Sequence, residues 1–307
     1  MTKTFLDTAY TGINLLDCTL RDGGYYNSWD FPPDVVQSYI KAMESAGVDV
    51  VELGLRSVKT SGFMGAHAYT TDEYLDSLGI PDTLQVAVMV NASDLLGDLE
   101  ITEALVRLFP ISACESHVSL VRIACHFHEF EAALAAVGWL KDRGFSVGFN
   151  LMQIADREES EITALAAAAS SHPIDVLYFA DSMGSLDSLK TKKIIHQIKS
   201  LWKKSTGIHT HDNMGKALEN SNTAIKNSVN WIDCTVTGMG RGPGNTKTEY
   251  LILELNRKKE YLTDLLNLIK NYFDPLKEKH KWGSNPFYYY AGLNSIQPTC
   301  VQEMLSD

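Results

Sequence analysis

"PPDVVQSYIKAMESAGVDVVELGL", residues 32–55, carries the pattern on which the fold turns. Pro32 and Pro33 suit a first helical turn, apolar residues then recur at helical spacing, and Gly47 stands where a C-terminal cap belongs. The run that follows at once, 48–55, is rich in Val and Leu and reads as a β-strand. A helix thus leads straight into a strand, which is half of a βα repeat.

The same alternation extends in both directions. Strand-like runs are "NLLDCTL" (14–20), "TLQVAVMV" (83–90), "HVSLVRIAC" (117–125), "SVGFNLM" (146–152), "DVLYFAD" (175–181), "GIHTH" (207–211) and "WIDCTVTG" (231–238). Amphipathic stretches such as "FEAALAAVGWLKDRG" (130–144) and "REESEITALAAAASSH" (157–172) lie between them. Strand starts fall about 30 residues apart, the size of a βα unit. Eight such units predict an α/β fold, a (β/α)8 TIM barrel. The barrel is expected over 10–255, with a small C-terminal helical extension over 256–307 that covers the mouth or serves dimerisation. A doubly wound sheet would want a glycine-rich phosphate turn after an early strand, and none stands there.

Composition narrows the function. The chain has 307 residues, 45% of them hydrophobic, enough for a sizeable core. Its net charge of -11 disfavours nucleic acid and anionic membrane surfaces as partners. No apolar run approaches the roughly 18 residues of a membrane span, and the first residues lack the apolar segment of a signal peptide. The 5 cysteines are scattered without a CxxC pair, which argues against a zinc ribbon or a disulfide framework and for a cytoplasmic location.

In such a barrel the chemistry sits at the C-terminal ends of the strands. Those ends offer Arg21 and Asp22, Glu52 and Arg56, Asn91, Arg122 and His126, Asn150 and Gln153, Asp181 and Ser182, His209 and His211, and Thr235 and Thr237. In "GIHTHDN" (207–213) the period of two puts His209 and His211 on one face, the interior of a barrel. The first strand closes beside the eighth, so Asp22 falls near them. One carboxylate and two imidazoles with open positions suit Mn²⁺, Mg²⁺ or Co²⁺. The plainer alternative is a hydrogen-bonded polar plug. Arg21 beside a metal ligand is placed to steady a developing oxyanion. "GMGRGPGN" (238–245) follows the last strand, where barrels often bind phosphate or carboxylate, and Asn245 could be a fourth ligand.

The segments "LLDCTLRDGG" (15–24), "GIHTHDNMGKALENS" (207–221) and "GMGRGPGNTKTE" (238–249) resemble the DRE-TIM metallolyase superfamily. Within that HMG-CoA lyase-like group, the resemblance is closest to the 4-hydroxy-2-oxovalerate aldolases. "VRIACHFHEFE", "VGFNLMQI", "LYFADSMGS" and "WIDCTVTGMGRGPGNTKTE" follow in the same order, and the likeness spans about 14–255. It implies a class II aldolase in which Asp22, His209 and His211 hold the metal and a pyruvate-type enolate chelates it. It implies that Arg21 stabilises the enolate oxygen and that Ser182 helps bind the donor carboxylate. The substrates implied are a 2-oxo acid and an aldehyde, and the assembly a homodimer or higher homo-oligomer.

Three features depart from that family. Its acid/base histidine, three residues after the metal aspartate, is Tyr25 here, and a phenol is a weak base near neutrality. The loop "LGLRSVKTSGFMG" carries Arg56 and Lys59, which suggest an acidic or phosphorylated acceptor, or merely a solvated charged loop. With His126, Arg56 is expected to bind substrate. The tail is shorter, which argues against the family's aldehyde dehydrogenase partner. Among Tyr288–Tyr290, where the family places a catalytic tyrosine, Tyr289 is taken as catalytic, with an aromatic packing patch as the alternative. Two further functions compete with the aldolase: an acyl-CoA/2-oxo acid Claisen-condensing acyltransferase of the isopropylmalate synthase type, and a non-catalytic relative.

Overall fold

The computed structural model describes residues 12–59, 62–257 and 262–306; residues 10 and 11 of the expected barrel and the first residues read for a signal lie outside that set. Eight parallel strands close in sequence order: β1 Asn14–Asp17, β2 Val50–Leu55, β3 Gln85–Asn91, β4 Val118–Cys125, β5 Ser146–Leu151, β6 Val176–Ala180, β7 Ser205–His209 and β8 Trp231–Cys234. β1 seals the barrel against β8, with Leu16 opposite Asp233. Helices alternate with the strands, so the fold is the (β/α)8 barrel that the repeat predicts.

The helix Pro33–Ala46 shows why the opening stretch folds as it does. It turns Val35, Val36, Tyr39, Ile40 and Met43 inward and ends on Gly47, whose φ of 76° lets its amide reach the carbonyls of Met43 and Glu44. Inside the barrel, Leu16, Val50, Leu120, Val176, Tyr178 and Trp231 form an apolar plug. The larger core lies between strands and helices.

Two local irregularities set the geometry of the mouth. β1 stops at Asp17, whose carboxylate accepts hydrogen bonds from the Thr19 amide at 2.9 Å and from the Tyr39 hydroxyl at 2.6 Å. The chain then makes a single helical turn, Thr19–Asp22, so Arg21 and Asp22 sit on that turn and not on the strand. β2 carries a bulge between Glu52 and Gly54, after which Leu55 pairs with Met89 and Leu55 faces inward beside it. A one-residue slip moves every later side chain to the opposite face, so Arg56 turns outward.

The tail packs against both the outer helices and the mouth of the barrel. Helix Leu262–Leu268 lies along Pro33–Ala46, with Lys41 Nζ 3.0 Å from Asp264. Helix Pro286–Leu293 lies on the loops after β6 and β7; a Cβ on Gly292 would come within 2.8 Å of the Gly184 carbonyl oxygen. Among the described residues no helix is long and apolar enough to cross a membrane.

Candidate active site

Above the apolar plug, inward side chains from five elements close a circuit of alternating charge. Arg21 Nη1 is 2.8 Å from Asp22 and its Nε is 2.7 Å from Glu52. The other oxygen of Glu52 is 3.2 Å from Arg122 Nε. Arg122 binds both oxygens of Asp233, at 2.8 and 2.7 Å, while its guanidinium lies 4.2 Å from the Tyr178 ring centre. Asp233 holds His209 Nδ1 at 2.9 Å, and His209 Nε2 faces Asp22 Oδ2 at 3.5 Å. All six side chains are buried. A buried charge is tolerated only when paired, and here each is shared between two partners.

Asp22, His209 and His211 bring one ligand atom each within 4.8 Å of one another. Three buried atoms at this point have no hydrogen-bond partner: Asp22 Oδ2, His211 Nδ1 and Asn245 Oδ1. Buried polar atoms are normally satisfied, so this cluster is chemically incomplete as it stands, and its donor set fits a divalent cation. Gly240 keeps the space open, since a Cβ there would lie 1.7 Å from Asn245 Oδ1 and 3.0 Å from Asp22 Oδ2. His211 is two residues beyond the end of β7, held by a bridge to Asn245 across the glycine-rich turn.

The protonation states suit the same reading. Burial would push the Asp22 carboxyl up, but Arg21 and the two histidines overcome it and hold it well below the usual carboxylate range. Burial, with His209 beside it, lowers His211 to about 3, so its imidazole is neutral and free to ligate. Burial works against protonation of His209 too, yet Asp22 and Asp233 raise it above its ordinary value. A second group, Cys18 with His209 and Asp233, also comes close enough for a metal. It is the poorer ligand set, because Arg122 already occupies both Asp233 oxygens.

A cavity of about 400 Å³ opens over this centre and is lined by Arg21, Asp22, Tyr25, His126, Ser182, His209 and His211, together with Arg241 and Gln297. Ser182 Oγ accepts the Gln153 amide at 3.0 Å, and Gln153 itself is held at a φ of 59°. His126 sits at the start of a helical turn whose Glu129 accepts the His126 amide at 2.8 Å. Asn245 Nδ2 lies 3.1 Å from His209 Nε2, beneath the cavity.

Two expected site residues lie elsewhere. Arg56, turned outward by the β2 bulge, donates to the carbonyls of Thr70 and Leu108 and pairs with Asp72 at 2.8 Å. It is a structural clamp and does not reach the cavity. Lys59, its companion in that loop, pairs with Asp94 at 2.8 Å. Tyr289 is 45% exposed and lines a separate apolar recess with Pro286, Tyr290 and Leu293. Its helix presents Tyr288, Ala291 and Gly292 to the barrel, an i, i+3, i+4 face, so Tyr289 points away. Conversely, Asp233 was not among the expected residues. Its signal is an acidic residue inside an apolar strand at inward parity.

Comparison with known proteins agrees with this geometry. The family model described as HMGL-like matches residues 12–271. Over 249 residues the chain is 28% identical to 4-hydroxy-2-oxovalerate aldolase of Pelotomaculum thermopropionicum, covering 80% of this chain and 70% of that protein. It is 25% identical to oxaloacetate decarboxylase of Mycobacterium tuberculosis over 293 residues, 92% of this chain and 83% of the other. Among solved structures, the N-terminal domain of a proposed aldolase from Bacteroides vulgatus superposes with a TM-score of 0.83 at 32% identity, covering 96% of this chain and 97% of that one.

Proposed function

The chain belongs to the HMGL-like family and is a metal-dependent carbon–carbon lyase, and on that premise we propose that it forms or cleaves a 4-hydroxy-2-oxo acid through a pyruvate-type enolate. The observation that carries the proposal is the incomplete cluster of Asp22, His209 and His211, lying in one cavity with an Arg21 Nη2 that has no partner. Asp22, His209 and His211 would hold a divalent cation (Mn²⁺, Mg²⁺ or Co²⁺), with Asn245 as a further ligand. When bound, the cation would supply Lewis acidity at the keto oxygen, which would make the neighbouring carbon acidic.

The protein's own groups account for the rest. Arg21 is fixed through two nitrogens by Asp22 and Glu52, so its remaining N–H group is aimed in advance at the enolate oxygen. Ser182 accepts from Gln153 and keeps its own proton for the donor carboxylate. Tyr25, at the edge of the cavity, donates to the alkoxide that forms when the enolate carbon attacks the aldehyde. In the reverse direction the 4-hydroxyl loses that proton, the C3–C4 bond breaks, its electron pair becomes the enolate, and C3 is protonated to pyruvate. We assign catalysis to residues 10–255 and a covering role to 256–307. The exposed Tyr289, Tyr290 and Leu293 are our candidate surface for homo-oligomer formation, and the unpaired cysteines support a cytoplasmic setting.

A second reading is decarboxylation of a 2-oxo acid that carries a carboxylate on C3, as oxaloacetate does. The relative named oxaloacetate decarboxylase favours it, and so does Tyr25. Loss of CO₂ yields the same enolate without removing a hydroxyl proton, so the weak basicity of a phenol would not matter. Pyruvate release from 4-hydroxy-2-oxo acids and from oxaloacetate, followed with each metal and after chelation, tests both. Chelator-sensitive release from the hydroxy acid supports the aldolase, release from oxaloacetate alone supports the decarboxylase, and none from either contradicts both.

A further inference from the structure

We propose that Arg241 makes one end of the cavity an anion subsite, so that the aldehyde half of the substrate carries a carboxylate or a phosphate. This rests on the aldolase reading above and adds the class of acceptor. Arg241 sits in "GMGRGPGN" and lines the same cavity as Arg21, Asp22 and His211. Its guanidinium lies 4.3 Å from the Tyr25 ring centre, and its Nε is buried without a hydrogen-bond partner. Among the described residues it makes no ion pair with a carboxylate.

The other nearby cations are already engaged. Arg21 is shared between Asp22 and Glu52, Arg122 between Glu52 and Asp233, Arg56 belongs to Asp72, and Lys59 to Asp94. The second carboxylate on the cavity wall, Glu129, accepts the His126 amide. Arg241 is therefore a half-buried cation that faces substrate and lacks a counter-charge. A guanidinium presents a rigid fork of donors matched to carboxylate and phosphate oxygens. The donor end of the substrate has its own partners in Arg21, Ser182 and the metal cluster, while Arg241 stacks on Tyr25, the group placed to protonate the acceptor oxygen. An uncharged aliphatic aldehyde would leave this cation unpaired.

The test uses the full chain with Mn²⁺, saturating pyruvate and two matched pairs of aldehydes. These are glyceraldehyde 3-phosphate against glyceraldehyde, and succinic semialdehyde against butanal. The readout is the ratio of kcat/KM for the charged member to that for the neutral one, taken within each variant. The wild type should favour the charged member by about tenfold or more in at least one pair, since a charge-assisted pair is about twice as strong as a neutral hydrogen bond. The pair that shows it identifies phosphate or carboxylate. R241Q should bring the ratio close to one, and R241K should restore part of it. A wild-type ratio near one in both pairs, or the same ratio in R241Q, overturns the subsite. So does a variant whose only change is a higher KM for pyruvate, which would move Arg241 to the donor end. Deuterium exchange into pyruvate by the wild type without any aldehyde separates the two levels. If exchange is absent the aldolase reading fails and this proposal with it; if exchange is present but the preference is not, only the subsite fails.

Discussion

The carboxylate of Asp233 holds Nδ1 of His209 at 2.9 Å, which leaves Nε2 directed towards Asp22. A hydrogen bond at one ring nitrogen fixes both the tautomer and the orientation of the other, and so tunes a metal-binding histidine. Asp233 is in turn clamped by Arg122 through both oxygens, so the imidazole is aimed by the barrel interior itself.

D233N should therefore weaken divalent-metal binding by about 10- to 100-fold, the usual effect of losing such a partner. Titration of Mn²⁺ followed by electron paramagnetic resonance measures this directly. An affinity equal to that of the wild type would show that His209 does not depend on Asp233.

Arg56 makes the opposite case. Its guanidinium is fully engaged with two carbonyls and Asp72 outside the cavity. R56M removes one half of a buried ion pair and should cost about 3–5 kcal/mol of stability, measured by urea unfolding. At a temperature where the variant stays folded, its kcat should lie within about twofold of the wild type, because the Arg56 guanidinium does not line the cavity. A large loss of kcat with unchanged stability would return Arg56 to the site.

His67 sets an acid limit on stability. It is fully buried, with one ring nitrogen on the Leu53 carbonyl and the other 2.9 Å from the Tyr74 hydroxyl. Burial lowers it from 6.5 to about 4, so the folded chain keeps it neutral where the unfolded chain is protonated. Its contribution is complete above pH 6.5 and is lost as pH falls towards 4, in all about 3 kcal/mol. The slope of unfolding free energy against pH in that window should flatten in H67Q. An identical slope in the variant would place the acid sensitivity elsewhere.

Much of this was legible in the residues themselves. Helix caps such as Gly47 and the regular spacing of apolar runs led to the barrel, and the shared parity of His209 and His211 led to the candidate metal cluster. The failures have specific physical causes. Arg56 stands at the end of β2, where an unbroken strand would turn it inward with Glu52, but the bulge between Glu52 and Gly54 reverses that, and Gly54 inside the strand is its one local mark. Three successive tyrosines on a helix point in three directions, and only the packing of Tyr288, Ala291 and Gly292 decides which is buried. Asp233 was hidden by its apolar neighbours, although its parity matches that of Trp231, which packs in the barrel plug.

The most direct test of the account is proton NMR of pyruvate in D₂O with the protein and a low, non-broadening concentration of Mn²⁺, beside an H209A control. Loss of the methyl signal with the wild type, abolished by chelation and absent in the variant, is the predicted result and would demonstrate metal-dependent enolisation at the Asp22, His209 and His211 cluster. A methyl signal that persists in the wild type while Mn²⁺ is bound would contradict enolate chemistry on pyruvate. Exchange that continues unchanged in H209A would contradict the assignment of that chemistry to this centre.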